Sequence, residues 1–131
     1  MKTSKADRYF SLFIRLRDAD ENGIGTCVTC GLKKHIKGLH CGHFIGRQHQ
    51  STRFDEMNGH CQCAGCNTFN EGRKAEYEHY LISRYGEQEV NLLKLRGQST
   101  KMRGQWEFEY IANHYKQKAT DLSREKGIEL W

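Results

Sequence analysis

Four cysteines arranged as two Cys-x-x-Cys pairs constrain this chain more than any other feature of its sequence. The pairs are Cys27 with Cys30 in "CVTC" and Cys63 with Cys66 in "CAGC". Each such turn presents two thiolates at the Zn–S distance of about 2.3 Å, so two turns can complete a tetrahedral zinc shell. The alternatives are buried free cysteines or a redox pair, although a thioredoxin-like site needs one such motif rather than two. The spacing therefore predicts a structural zinc site.

The hydropathy of the chain predicts an intracellular location, where thiols stay reduced. The first ten residues, "MKTSKADRYF", lack the apolar stretch and cleavage site of a signal peptide, and no apolar run approaches the roughly 20 residues that span a bilayer. We therefore expect a cytoplasmic protein without a membrane partner, whose thiols stay reduced. Cys41 and Cys61 are then predicted to be small buried residues, because four thiolates already complete a zinc shell.

Length and charge indicate how the chain is organised and what it binds. Its 131 residues suffice for one ordinary domain and are too few for two, so we predict a single domain over residues 1–131. The formal net charge is +5 at pH 7, which suits a polyanionic partner such as nucleic acid.

Apolar residues recur at helical spacing near both ends of the chain. Ser4 and Asp7 form a capping signal, and Asn22-Gly23 should end the first helix. Helices are predicted over residues 4–21, 73–86, 87–96 and 104–126. The predicted fold class is α+β and mostly helical, with an N-terminal helix in 1–22, a zinc-bound core in 26–85 and C-terminal helices in 87–126.

The thirty-two residues between the two cysteine pairs exceed the usual zinc-ribbon spacing, so they contain an inserted segment. Within this segment, the twenty-one residues 40–60 contain four of the seven histidines of the chain. A strand ending in His-x-x-His, a loop with Asn, and a helix opening with Cys-x-x-Cys-Asn together indicate a ββα-metal arrangement. In such an arrangement zinc joins the hairpin to the helix, and both offer groups to one catalytic cation. Asn67 is then predicted to be an oxygen ligand of that cation, the alternative being a helix cap.

The combined motif "CVTC…GHFIGRQHQSTRFDEMNGHCQCAGCN…LISRYG" resembles the NinG, or Rap, recombination endonucleases of lambda-like phages. The resemblance covers about residues 6–122. The core, with its "L-x-x-x-H" hairpin and "C-x-x-C-N-x-x-x-E-G" helix start, is also similar to phage T4 endonuclease VII, an HNH-type (His-Me finger) resolvase. The resemblance implies an endonuclease in the cytoplasm of the bacterial host that cleaves branched DNA, such as Holliday junctions and D-loops. The residues alone predict only a zinc-stabilised, metal-dependent nuclease.

The resemblance also implies roles for single residues. His43 matches the general base that activates water, the alternative being a hydrogen-bonded core histidine. Asn67 matches a ligand of the catalytic metal, and Asn58 matches the asparagine that ties the hairpin loop by backbone hydrogen bonds. His40 stands where relatives often have a metal-binding aspartate, so we expect it to bind the metal, with Asp55 or water as the alternative. The implied cofactors are a structural Zn²⁺ and a catalytic Mg²⁺ or Mn²⁺.

Other polar residues of the inserted segment have more than one interpretation. His60 is predicted to be catalytic by orienting the scissile phosphate; indirect support of the site or simple packing are the alternatives. Arg47, His49 and Arg53 are predicted to hold the DNA backbone at the mouth of the site, because basic loops commonly contact phosphate. The alternative for these three residues is an ordinary solvated loop.

The expected partners are branched DNA, a second copy of the chain, and phage or host recombination proteins. A four-way junction has near two-fold symmetry and needs two cuts, which favours a homodimer. Two other functions are compatible with the sequence. One is an HNH nuclease that acts on ordinary duplex DNA, and the other is a non-catalytic DNA-binding module stabilised by zinc.

Overall fold

The computed structural model describes residues 3–131, which form five α-helices and two small antiparallel hairpins. Helices α1 to α5 are Lys5–Asp18, Gln50–Arg53, Lys74–Tyr85, Glu87–Gly97 and Gln105–Lys126. Strands β1 to β4 are Ile24–Thr26, Lys33–His35, His40–His43 and Gly59–Gln62. The predicted class, α+β and mostly helical, is confirmed. The first two residues of the predicted N-terminal segment 1–22 lie outside the described residues.

Helix α1 begins with the capping box that its sequence predicts. The Ser4 hydroxyl accepts a hydrogen bond from the Asp7 backbone N–H at 3.2 Å, and the Asp7 carboxylate accepts one from the Ser4 N–H at 2.9 Å. The helix ends at Asp18, three residues before the predicted end at residue 21. Gly23, with φ at +77°, then turns the chain into β1.

The main hydrophobic core lies between α1 and α5, the two helices that pack together most extensively. The buried apolar face of α1 is formed by Phe10, Phe13, Ile14 and Leu16, and α5 contributes Ala112, Tyr115 and Ala119. A second cluster between α3 and α4 contains Tyr77, Leu81, Val90 and Leu93. These two cores hold the central hairpin, β3–β4, between α1 and α3.

Each hairpin carries part of the predicted chemistry. The loop between β1 and β2 contains the first Cys-x-x-Cys pair. In the second hairpin His40 pairs with Gln62 and His43 pairs with Gly59, and Cys41 lies directly opposite Cys61. The prediction that these two cysteines are buried is confirmed for Cys61, whereas Cys41 is half-buried.

The helix predicted over residues 73–86 is confirmed to within one residue, but the second Cys-x-x-Cys pair does not open it as predicted. Residues Gly65–Phe69 form a one-turn π-helix, and α3 begins only at Lys74. Between them Glu71, Gly72 and Arg73 have φ values of 54°, 80° and 46°. Three successive left-handed residues cannot continue a right-handed helix. Asn67 therefore lies in a separate turn and not in the first turn of the long helix.

Within residues 3–131 there is no helix whose length and apolar character would suffice to cross a membrane.

Candidate metal centre and adjoining pocket

The four cysteines of the two pairs converge at one point of the structure. The sulfur atoms of Cys27, Cys30, Cys63 and Cys66 all lie within 4.8 Å of one another. The Sγ atoms of Cys30 and Cys63 are 3.7 Å apart. Four sulfurs placed tetrahedrally around zinc at about 2.3 Å are separated by about 3.8 Å. The cluster therefore has the size and donor set to bind one structural zinc.

Local hydrogen bonds favour the thiolate form at one of these cysteines, Cys27. Burial raises the pKa of Cys27, but hydrogen bonds from the Thr29 hydroxyl and from nearby backbone N–H groups outweigh burial and lower the pKa to about 6. The Cys66 N–H donates to the Cys63 sulfur at 3.4 Å, as is usual when a Cys-x-x-Cys turn folds around its first thiolate. Thiolate, and not thiol, is the form that binds zinc.

An open pocket of about 580 Å³ lies between α1 and the β3–β4 hairpin. His40, His43 and Asn67, which the sequence analysis assigned to one site, all line it. Basic side chains on its walls include those of Arg8, Arg47 and Lys74. The pocket thus combines a histidine pair, an amide and several cations, a composition that suits an anionic ligand.

His40 and Asn67 are in direct contact on the wall of this pocket. The side-chain amide of Asn67 approaches His40 Nδ1 at 3.1 Å. Which end of an asparagine amide is oxygen is an assignment from hydrogen bonding, and rotation by 180° would place Oδ1 at the same point. Two ligands adjacent on an octahedral cation, each about 2.1 Å from it, are about 3.0 Å apart. After such a rotation, the imidazole nitrogen and the amide oxygen would have the spacing of two neighbouring ligands of a divalent cation.

His43 is held in one orientation by the backbone. Its Nε2 donates to the carbonyl oxygen of Arg53 at 2.9 Å, which leaves the lone pair on Nδ1. Burial lowers the pKa of His43 to about 4, helped by the cations of Arg47 and Lys74, while the bond to the Arg53 carbonyl opposes this. The imidazole is therefore neutral at physiological pH with a free lone pair on Nδ1, and this low pKa makes it a weaker base than an exposed imidazole.

Asn58 ties the two ends of the 44–58 loop together. Its side chain is fully buried; Oδ1 accepts a hydrogen bond from the Ile45 N–H at 2.8 Å, and Nδ2 donates to the Ile45 carbonyl at 2.9 Å. The same Nδ2 donates to the Thr52 carbonyl at 3.1 Å. These contacts fix the loop that follows His43, and Asn58 itself does not line the pocket.

His60 lies away from the pocket. It is fully buried, with Nδ1 3.2 Å from the Tyr77 hydroxyl and Nε2 2.9 Å from the Tyr85 hydroxyl. Because the Tyr77 hydroxyl donates to the Gly42 carbonyl at 2.7 Å, His60 Nδ1 donates to the Tyr77 oxygen and Tyr85 donates to Nε2. Burial, with the charge of Arg17, lowers its pKa to about 3. His60 thus lies too deep for the predicted phosphate contact, and its contacts fit both alternatives, packing and indirect support of the site through Tyr77 and the Gly42 carbonyl.

Arg53 also requires a correction, because it does not lie at the mouth of the site. Its side chain is 6% exposed and forms two hydrogen bonds with the Asp7 carboxylate, from Nε to Oδ1 at 2.9 Å and from Nη2 to Oδ2 at 2.5 Å. A guanidinium buried in this way cannot hold a DNA backbone. Its carbonyl, however, accepts the bond from His43.

The other two predicted DNA-binding residues lie on different sides of the loop. Arg47 lines the pocket and is half-buried, with Nη1 3.4 Å from the Thr3 hydroxyl and 3.8 Å from Asp7. His49 is exposed, precedes α2 and lines a neighbouring groove of about 290 Å³. Gln48 belongs to both cavities, so the two are adjacent.

Two residues of the pocket wall, Lys74 and Asp7, were not predicted from the sequence. Lys74 donates from Nζ to the His43 carbonyl at 2.6 Å, and Asp7 lines the pocket from α1. In the sequence, only the position of Lys74, seven residues after Asn67, places it near the predicted site residues. The sequence indicated that Asp7 caps a helix, but it did not indicate that the same carboxylate also contacts Arg53.

Comparison with known proteins identifies the chain's relatives. Residues 2–125 match the family described as "Bacteriophage Lambda NinG protein". The ninG protein of Escherichia phage lambda is 31% identical over 127 residues, covering 94% of this chain and 58% of that protein. The ninG protein of Salmonella phage P22 is 32% identical over 122 residues, covering 90% and 56%.

The chain spans less than two thirds of the length of these curated relatives, 59% for the ninG protein of Escherichia phage 933W. No solved structure matches it. Because the family match covers residues 2–125 of the 131, the chain belongs to the NinG protein family of lambda-like bacteriophages.

Proposed function

We propose that this chain is a metal-dependent, HNH-type endonuclease that cleaves branched DNA. The observation that carries the proposal is the shared pocket: a neutral histidine with a fixed tautomer, His43, lines the same cavity as the His40–Asn67 pair. Phosphodiester hydrolysis needs a base for water and a cation beside the phosphate, and this pocket offers groups for both. The resemblance to the NinG or Rap endonucleases and to phage T4 endonuclease VII supports the same function.

In the proposed reaction, His43, His40 and Asn67 have separate tasks. His43 Nδ1 accepts a proton from the attacking water, and the Arg53 carbonyl keeps the proton of Nε2 in place. His40 and Asn67 would hold Mg²⁺ or Mn²⁺, which would offset the charge that develops on the scissile phosphate. Attack by the water breaks the P–O3′ bond, and the leaving 3′ oxygen takes a proton from solvent, which gives 5′-phosphate and 3′-hydroxyl ends. An imidazole ligand in place of a carboxylate favours Mn²⁺ over Mg²⁺.

The basic pocket wall supports DNA as the substrate. Arg8, Arg47 and Lys74 surround the His40–Asn67 pair, and contacts from such cations to phosphates are independent of sequence. Sequence-independent contacts suit an enzyme that recognises the shape of a junction. The symmetry of a four-way junction favours a homodimer, and other recombination proteins of phage or host are further proposed partners.

Cleavage assays test this proposal directly. Zinc-loaded protein is incubated with a four-way junction or with linear duplex of the same sequence, each with Mn²⁺, with Mg²⁺ or with EDTA. We expect metal-dependent cleavage of the junction and much less of the duplex. His43→Ala should lower the cleavage rate by at least about 10²-fold while junction affinity persists, because it removes the base and no positive charge.

The same assay distinguishes the alternatives. Equal cleavage of both substrates would favour an HNH nuclease for ordinary duplex. Binding without cleavage under every metal condition would favour a non-catalytic DNA-binding module, which the four-cysteine cluster alone would equally fit. That module, however, gives no function to the His40–Asn67 pair.

A further inference from the structure

A buried ion pair connects α1 to the backbone that holds His43. Asp7 and Arg53 are 46 residues apart in sequence, are 7% and 5% exposed, and share two parallel hydrogen bonds. The Arg53 guanidinium also lies over the rings of Phe54 and Phe108, at 5.7 and 5.6 Å from their centres. Its position is therefore fixed both by direction-dependent hydrogen bonds and by packing.

The backbone of Arg53 connects this ion pair with the proposed base, His43. The carbonyl oxygen of Arg53 accepts the Nε2–H bond of His43 at 2.9 Å, and the preceding carbonyl, of Thr52, accepts from Asn58 at 3.1 Å. The Arg53 side chain thus anchors the peptide whose oxygen determines which nitrogen of His43 carries the proton. Asp7, at the start of α1, holds that side chain.

We infer that Asp7 and Arg53 are positioning residues of the site: their ion pair fixes the Arg53 carbonyl and thereby keeps His43 in the tautomer with a lone pair on Nδ1. The catalytic value of this role rests on the proposed endonuclease function. The positioning itself does not, because the tautomer of His43 is a property of the protein without DNA. Helix α1 then belongs to the site as well as to the core.

The energetics of buried ion pairs support this interpretation over simple stabilisation. Removing two charges from water costs most of what their attraction returns, so an apolar pair of the same volume would stabilise the fold equally well. What an Arg–carboxylate pair adds is fixed geometry, since the planar guanidinium meets the carboxylate in one orientation. Asp7 also lies 3.8 Å from Arg47 on the pocket wall, so it contacts both a buried and a pocket-lining arginine.

The tautomer can be measured by ¹⁵N NMR of the imidazole nitrogens in the zinc-loaded protein, with His43→Gln used to assign the His43 signals. In the wild type we expect a protonated Nε2 and an unprotonated Nδ1. In Asp7→Asn and Arg53→Lys the two His43 nitrogens should move towards each other, as expected for a mixture of tautomers. Arg53→Lys keeps the charge but loses the two-pronged contact, so its shift should be the smaller one.

Glu56→Gln is the matched control. Glu56 lies in the same 44–58 loop and joins it to α5 through Tyr115 and Lys118, at 2.9 and 3.0 Å, without contacting His43 or Arg53. It should lower the melting temperature while leaving the His43 signals unchanged. Unchanged signals in both Asp7→Asn and Arg53→Lys would overturn the inference, and so would unfolding of both variants, since the pair would then be a requirement of the fold.

Kinetics then separate the inference from the proposed function. If the wild type cleaves junctions, Asp7→Asn should lower kcat on the order of 10²-fold, the effect of a misplaced catalytic group, with KM nearly unchanged. An unchanged kcat together with shifted tautomers would overturn the catalytic part of the role. If the wild type cleaves nothing, the proposed function fails, and the NMR signals still decide whether the pair positions His43.

Discussion

The structure assigns Lys74 a place in the pocket that no sequence motif predicted. Its ammonium group donates to the His43 carbonyl at 2.6 Å and lines the pocket beside the His40–Asn67 pair. Burial lowers the pKa of Lys74, because removal from water disfavours the charged form. In its protonated form, Lys74 can bind the scissile phosphate and stabilise the strand that carries His43.

Replacing Lys74 tests this role at the scale of one side chain. Lys74→Ala should lower the junction cleavage rate on the order of 10²-fold, because a fixed cation near the developing charge is removed. Lys94→Ala is the control, since Lys94 pairs with Glu78 on α3 and does not line the pocket. Single-turnover rates at saturating DNA give the comparison. Equal rates for the two variants would exclude a special role for Lys74.

At the scale of elements, the zinc cluster shows what local motifs can predict. Two Cys-x-x-Cys turns encode their own geometry, so the cluster was predictable although the pairs lie far apart in sequence. The break between the π-turn and α3 was not predictable. Glu71 and Arg73 adopt left-handed conformations that their residue types rarely favour, and the surrounding contacts impose them.

Zinc removal should therefore loosen the hairpin and the turn that carries Asn67. Cys66→Ser should lose the metal and lower the melting temperature by roughly 10 °C or more, because a structural zinc contributes several kcal/mol. Cys41→Ser, a change outside the cluster, should keep one zinc per chain and a near-native melting temperature. Metal analysis and thermal unfolding measure both effects. Retention of zinc by Cys66→Ser would contradict the four-cysteine site.

At the scale of the whole molecule, long-range polar contacts limit what sequence can predict. The four longer helices follow apolar periodicity and were predicted to within a few residues, whereas the short α2 was not predicted and Asp7 could pair with any of 21 basic residues. No local pattern ranks Arg53 above Arg47 as its partner, and so Arg53 was predicted to contact DNA. For His60, strand position did not reveal the tyrosines of α3 that enclose it. Burial and partners are properties of the assembled fold.

The two buried histidines make the stability of the whole molecule dependent on pH. Burial lowers the pKa of His43 to about 4 and that of His60 to about 3, from the ordinary histidine pKa of 6.5. Below pH 6.5 the unfolded chain therefore binds protons that the folded chain does not. The free energy of unfolding should fall as pH decreases from 6.5 towards 4, by up to about 1.4 kcal/mol per pH unit for each histidine.

Urea unfolding between pH 7 and pH 5, with zinc content checked at each pH, measures this slope. His60→Gln keeps groups that can bond both tyrosine hydroxyls but cannot be protonated, so its stability should fall less steeply with acidification than that of the wild type. His49→Gln removes an exposed histidine and should keep the wild-type slope. Equal slopes for His60→Gln and the wild type would mean that His60 is charged inside the fold, in conflict with its burial between Tyr77 and Tyr85.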